Sequence, residues 1–526
     1  MPRRLSGGYG DKEKEVTPMK RIVSLLLVLA LALACCSFAY AEGDEKVTLT
    51  AVIAQHSACP AFDDSPIWLQ IAEEANVNLV WETVKSDWAQ RKSILIGTNQ
   101  MPDLWIGAYN LSVSDMQSNL EAFVKLNDYI ENSTNVKKMF EDHPELLIPI
   151  TYPDGSIYSI PAYNKDCYRK VSDCWFINKT WLDYLGKEVP DNLDDLFDCL
   201  MAFKTGDPNQ NGEADEIPFV DFAEAAGYFG NGFGIVQNTD VDWFCVDDEG
   251  NLTWTANTDA FKDLMKFMRK CFENGLADPE TFTQPWQDYY AYCGGETAIG
   301  GVGLAWTIEA LMAKTADQYV LLPAMKDANG NQYVNVSGSP TRPISFAISA
   351  SCKDIDAAWR VIETAYSEKN GLQLEYGLIN PPDGVGGLIA NDDGTYSVVP
   401  PPADSNWDIW NISQSSFRAN SYVSDETYAK IIPSEDMITK DTINNFYAPF
   451  ATHEVMPSCY IFDTDTNDEL SVLKTDIKST ISQRIAAWCQ GEIDIDADWE
   501  DYKAELNALG LDRYIEIYTE RFNASK

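Results

Sequence analysis

Twelve residues, Asp207-Pro-Asn-Gln-Asn-Gly-Glu-Ala-Asp-Glu-Ile-Pro218, constrain this chain more than any other stretch. Four carboxylates and three carboxamides crowd around one glycine between positions 207 and 216. Left alone the carboxylates repel one another, so the loop has the composition of one closed by a hard cation with oxygen ligands. Asp207, Asn209 and Asn211 alternate as calcium-loop ligands do, and Gly212 permits the sharp turn. The Glu213 carbonyl, Asp215 and Glu216 would bring the set to about six or seven oxygens. An EF-hand places a bidentate Glu at its twelfth position, where this chain has Pro218, so Asp215 and Glu216 must close the site instead. The competing reading of the same residues is a polar Asp/Asn/Gly turn after a helix.

The approach to the loop is helical by pattern, since Leu193, Leu196, Phe197 and Leu200 recur at helical spacing behind Asn192, a fitting N-cap. Residues 176–218, FINKTWLDYLGKEVPDNLDDLFDCLMAFKTGDPNQNGEADEIP, resemble the family 1 extracellular solute-binding proteins of bacterial ABC transporters, in the branch that includes alginate- and other oligosaccharide-binding proteins. Trp88–Gly107 with its Met101-Pro102-Asp103, Lys125–Ile130, and GLADPETF at 275–282 are similar to further segments of that family. So is Glu296–Trp306, with Ile299 where the family has Met and one residue more before the Trp. The resemblance covers residues 45–380 nearly continuously and thins beyond.

The resemblance implies an α/β, two-lobe periplasmic-binding-protein-like fold of type II with the ligand cleft between the lobes. It implies an oligosaccharide handed to an ABC permease, with no bond in the ligand changed. It also implies a structural calcium ion on Asp207, Asn209, Asn211, Glu213 through its carbonyl, Asp215 and Glu216. The family more often has Lys at 213, a departure of little weight because only backbone would bind there.

A chain of 526 residues is too long for one core. The expected N-terminal lobe is 46–160 with about 342–395, and the C-terminal lobe 161–341 with about 396–526. Before them, Lys20-Arg21 and the apolar run Ile22–Ala34 read as a signal peptide ending near 41, since a membrane span needs about 20 residues. Met19 is a natural start for it, which would make residues 1–18 an upstream extension. Two processing routes stay open. Leu33-Ala34-Cys35-Cys36 resembles a lipobox that would anchor Cys35 or Cys36 to the outer face of the cell membrane, whereas Ala39-Tyr40-Ala41 would release the protein.

Removing residues 1–41, with six basic and three acidic side chains, takes the formal charge from −42 to −45. A field of that sign repels nucleic acid and anionic lipid. The expectation is a monomer that touches the membrane only through a lipid anchor, where the lipobox route is taken. No C-x-x-C occurs among the ten cysteines beyond the signal. Cys167 and Cys174 flank a short loop and could bridge, while Cys199 and Cys271 lie on apolar helix faces as reduced thiols.

Val47–Ala54, Asp63–Asn76 and Asn78–Val84 read as strand, helix, strand, a parallel unit whose first loop faces a crevice. Pro153-Asp154-Gly155 marks a hairpin within Ile148–Tyr163, 380–405 reads as irregular, and helices close the chain at Leu470–Cys489 and Trp499–Leu509.

A sugar site needs aromatic faces for the apolar sides of pyranose rings and Asp, Asn or Arg for the hydroxyls. Trp306 ranks first because it follows the glycine-rich stretch of the sugar-binding resemblance. Trp286, Trp68, Trp407 and Tyr228 follow, each with a core role as the alternative. Asp64 on the first crevice loop and Arg342 at a crossing are the polar candidates, against a helix cap and a surface ion pair. The competing function is a secreted glycoside hydrolase, which needs only two carboxylates; a surface sugar sensor or adhesin is the third reading.

Overall fold

The apolar run from Val47 becomes β1 (Val47–Ala54), buried without interruption from Ala51 to Ala54, as befits a strand covered on both faces. The computed structural model describes residues 46–525 except 56–61, 108–109, 164–170, 172, 237–242, 248, 285–287, 290–292, 337–341, 383–386, 400–420, 454–455 and 457–459. β2 (Val77–Val84) and β3 (Leu104–Ile106) each follow a helix, Pro66–Glu74 and Trp88–Gly97, and β1 pairs in parallel with β3. Asp103 precedes β3 and accepts from the Thr50 N–H and hydroxyl at 2.8 Å, which sets that register. β4 (Ile160–Ala162) follows the turn at Pro153-Asp154-Gly155, where Gly155 takes φ +80°. The expected hairpin shrinks there to one antiparallel bridge, Thr151 to Ile157.

A second sheet is assembled from β5 (Cys174–Asn178), β6 (Ile217–Phe219), β9 (Gly300–Ala305) and β10 (Tyr319–Leu321), with β7 (Phe244–Val246) and β8 (Leu252–Trp254) forming a separate ladder. β11 (Arg342–Ile348) then returns to the first sheet, whose order is β2-β1-β3-β11-β4; the second is β10-β5-β9-β6. The first sheet's order places a late strand between β3 and β4, and both sheets mix parallel and antiparallel neighbours. The chain divides by its contacts into Met1–Val47 and Thr48–Lys526, and these sheets belong to the second unit.

The stretch expected to be irregular contains β12 (Leu388–Ala390) and β13 (Tyr396–Val398), which pair antiparallel, and β14 (Ile431–Ile432) joins β13 in parallel. Three-residue strands carry too little periodicity to read from sequence. The closing helices run Thr464–Gln490 and Ile495–Ala508, longer than expected, and a third, Leu511–Ser525, was not expected. The first two pack on the helix Asp259–Glu273, where Arg269 donates to the Cys489 carbonyl at 3.0 Å and Lys262 and Lys266 both reach Asp496 at 2.8 Å. Among the described residues no helix is long and apolar enough to cross a membrane.

The cysteine expectations divide. Cys199 and Cys271 are buried free thiols, with burial pushing them up to about 11 and about 12. Cys174 is also a free thiol, buried in β5 with its sulfur toward the Ala305 carbonyl, so the bridge to Cys167 is not made; Cys167 lies outside the described residues.

Gly371, in the helix Glu368–Tyr376, lies against the segment that crosses it: a Cβ there would fall 1.9 Å from the Tyr422 carbonyl oxygen. Gly371→Ala is therefore expected to lower stability by roughly 1–3 kcal/mol. Thermal unfolding checks it, and an unchanged midpoint would mean that Tyr422 can move off the helix.

Candidate ligand edge and cation loop

The helix Leu193–Gly206 opens as the sequence implied, the Asp195 N–H donating to the Asn192 side chain at 3.0 Å, and ends on Asp207 in the left-handed region at φ +43°. From there a ladder of side-chain turns folds the loop. Asp207 accepts from the Gly212 N–H at 3.2 Å, Asn209 from the Asn211 N–H at 3.1 Å, and Asn211 from the Glu213 N–H at 2.7 Å. The carboxamides of Asn209 and Asn211 bracket Asp215, at 2.9 and 3.0 Å. Glu213 is exposed, which suits a residue expected to contribute only its carbonyl.

Glu216 is where the charge goes unanswered. Its Oε1 is buried with no hydrogen-bond partner, and burial first, then Asp215 and Asp207, push its carboxyl above the ordinary range. Three mutually repelling carboxylates with one orphaned oxygen fit a missing positive charge. Among the described residues no three His, Cys, Asp or Glu side chains converge as a ready cluster; the donor set here is mixed, with carboxamide and carbonyl oxygens beside the carboxylates.

β6 starts immediately after the loop and runs parallel to β9, with Ile217 opposite Gly300 and Phe219 opposite Val302. The loop, tethered by Asn209 to the Ala298 carbonyl at 3.4 Å, therefore sits at the amino end of both strands. At about 3.3 Å per residue, the six residues of β9 put roughly 20 Å between that end and the other. At the far end lie Asp221, just past β6, and Trp306, just past β9.

Trp306 is 41% exposed although large, and Gly300, Gly301 and Gly303 in the strand before it are hemmed in by Val220, Phe203 and Phe176, so that no larger residue fits. Asp221 was not singled out from sequence. It takes φ +58°, unusual for a non-glycine residue, and burial with the nearby Glu224 raises its carboxyl from the ordinary 3.8 to about 6. A lone Asp within the apolar run Pro218-Phe-Val-Asp-Phe222 was the signal available. A carboxyl whose folded value lies above its unfolded one weakens the fold as pH rises from about 4 to about 6. Asp221→Asn keeps the shape and the tolerance for this backbone. It is expected to unfold at higher temperature than the parent at pH 7, with the gain vanishing near pH 4; equal midpoints at both would contradict it.

In the first sheet, β1, β3 and β4 point their carboxyl ends the same way, and Arg342 starts β11 at that edge, half-buried and opposite Ala162. Asn110 ties this edge together, accepting from the Ala54 N–H at 2.7 Å and donating to the Val52 and Ile106 carbonyls at 2.9 and 2.7 Å. Asp64 is exposed at the end of the turn Phe62–Asp64, and Ser65, not Asp64, caps the next helix.

Two expected platforms are corrected. Trp68 is 1% exposed, packed between Phe62, Trp81 and Phe346 with centroids 6.1, 4.9 and 6.4 Å away. Tyr228 is 2% exposed, its ring 4.6 Å from Trp175 and its hydroxyl donating to the Pro323 carbonyl at 2.6 Å. Both are core residues because inward-facing helix positions bury them, whatever their nearness to a turn. Trp286, Trp407, Cys35 and Cys36 lie outside the described residues.

No family model matches the sequence. Over 505 residues the chain is 28% identical to the fructooligosaccharide ABC transporter substrate-binding protein FusA of Streptococcus pneumoniae serotype 4 (strain ATCC BAA-334 / TIGR4), covering 92% of each. A solved structure of FusA in complex with kestose superposes with a TM-score of 0.80 at 26% identity, over 91% of this chain and 99% of that one. Another, of an EF-hand mutant of FusA in complex with fructo-nystose, gives 0.81 at 25% over the same shares. The chain is similar over most of its length to extracellular substrate-binding proteins of ABC transporters. Alginate-binding protein AlgQ2 without calcium ion shares the fold, with a TM-score of 0.73 at 20% identity over 91% of this chain and 98% of that one. This substrate-binding protein thus has the α/β two-lobe architecture, and the hydrolase reading gives way: proteins of this kind hold a solute and leave its bonds intact.

Proposed function

We propose that this protein captures an oligosaccharide between its two lobes and delivers it to an ABC permease, with Trp306 as a stacking platform and Asp221 as an acceptor for sugar hydroxyls. The observation that carries the reading is an exposed tryptophan and a strained, half-buried aspartate at the same edge of one sheet. Arg342 and Asp64 at the corresponding edge of the other sheet, with Trp286 and Trp407, complete the candidate set. FusA, whose structure holds kestose, supports the reading in kind.

The lobes of this reading are 46–160 with about 342–395, and 161–341 with about 396–526, supported by β1–β4 and β11 sharing one sheet and β5, β6, β9 and β10 another. Pairing of β13 and β14 with β12 favours moving the last crossing past residue 432. Calcium on Asp207, Asn209, Asn211, the Glu213 carbonyl, Asp215 and Glu216 is supported by the orphaned Glu216 oxygen, and its distance from the ligand edge makes it structural. In this reading the protein acts outside the cell as a monomer, either anchored through Cys35 or Cys36 or released after Ala41.

The test is calorimetric titration of the mature chain with kestose and a panel of other oligosaccharides, with product analysis of each mixture. Tight binding with intact sugar supports the reading. Cleaved sugar, or no binding to any of the panel, would sink it.

A further inference from the structure

We infer that Lys440 is a positioning residue for the platform, its ammonium holding one face of the Trp306 indole so that a sugar ring can stack only on the other. The inference rests on the reading of Trp306 as the ligand platform. Lysine is almost never fully buried unless paired, yet Lys440 is 1% exposed. Its ammonium lies 3.0 Å from the Trp306 ring centroid and also donates to the Trp306 backbone carbonyl. One side chain thus grips both the ring and the backbone of the exposed Trp306.

The helix Glu435–Tyr447 explains how that grip is aimed. Met437, Lys440, Ile443 and Tyr447 share one face at helical spacing, so Lys440 occupies a core position where an apolar residue would meet no desolvation cost. Met437 belongs to a cluster with Leu372, Leu388, Val423 and Ile431, whereas Ile443 and Tyr447 belong to the large core of the second sheet. The Tyr447 hydroxyl lies 2.7 Å from the Leu322 carbonyl oxygen and accepts from the Trp175 N–H at 3.2 Å. The helix is therefore pinned in two separate cores with Lys440 between them, and the ammonium's place over the indole is set by the fold rather than by the ligand.

Two consequences follow. The indole has one face covered by a cation, which leaves a single stacking surface of defined orientation. The same contact restricts the ring before ligand arrives, so less side-chain freedom is lost on binding.

The experiment compares Lys440→Met, which keeps length and burial without charge, with Lys440→Arg, which keeps the charge. Each chain is labelled with 5-fluorotryptophan, the Trp306 resonance is assigned by Trp306→Phe, and kestose is titrated by calorimetry. Lys440→Met is expected to stay folded, to shift or broaden the Trp306 resonance in the absence of sugar, and to weaken kestose binding about tenfold; Lys440→Arg should recover most of both. An unmoved Trp306 resonance and unchanged kestose affinity in Lys440→Met would overturn the inference. If the parent chain binds neither kestose nor any other oligosaccharide while Lys440→Met still moves the resonance, the grip on Trp306 stands and the sugar-binding reading falls.

Discussion

Withdrawing calcium from the mature chain with a chelator is expected to lower its thermal unfolding midpoint by several degrees, and Glu216→Gln or Asp207→Asn should remove most of that sensitivity. An ion present at 100 to 1,000 times its dissociation constant stabilises the state that binds it by about 2.7–4 kcal/mol. The loop is ordered by Asp207, Asn209 and Asn211 accepting backbone N–H bonds, but Glu216 Oε1 is buried with no partner and its carboxyl is pushed up by burial first, then by Asp215 and Asp207. Without a cation that repulsion falls on the junction between the helix Leu193–Gly206 and β6, which carries the second sheet's edge. The measurement is differential scanning calorimetry with calcium, with magnesium and with chelator. Identical midpoints in calcium and chelator would mean that the loop is a polar turn. Oligosaccharide affinity at saturating calcium should be left alone by Glu216→Gln, because the loop lies at the opposite end of β6 and β9 from Trp306.

Trp306→Ala is expected to weaken oligosaccharide binding by about 10- to 100-fold, roughly 1.4–2.7 kcal/mol, with little change in stability. The asymmetry is what separates a platform from a core residue: Trp306 is 41% exposed, so its loss opens no cavity, whereas Trp68→Ala should cost about 3–5 kcal/mol of stability. Titration calorimetry and thermal unfolding on the same preparations check both halves. Full affinity in Trp306→Ala would move the platform elsewhere, with Trp286 and Trp407 the next to substitute.

The strength of the sequence lay where chemistry is local. β1 runs from Val47 to Ala54 as its apolar run implies, and Asn192 caps its helix as its position implies. Apart from the tether to Ala298, the loop after Asp207 is folded by bonds between residues no more than six apart, so its composition was enough to expose it. The resemblance in residues 176–218 led to the fold for the same reason, since the quoted motifs are contiguous.

What failed was everything decided by distant partners. Trp68 and Tyr228 looked like loop aromatics and are core, because burial is set by Phe346, Trp175 and Pro323 from other parts of the chain. β12 and β13 went unread because three-residue strands gain their stability from pairing, here with β14 thirty-odd residues on. Asp221 and Lys440 carry no sequence signature stronger than a charge in a partly apolar setting; their interest arises from a left-handed backbone and from burial against Trp306. Sequence alone pointed to the oxygen-rich loop and to the fold, since each is written in neighbouring residues whose spacing is itself the physics. Only the tertiary structure decided that Trp306 faces solvent, that Lys440 grips it and that the oxygen-rich loop lies a full strand's length from it, because these depend on which strands lie side by side and in what register.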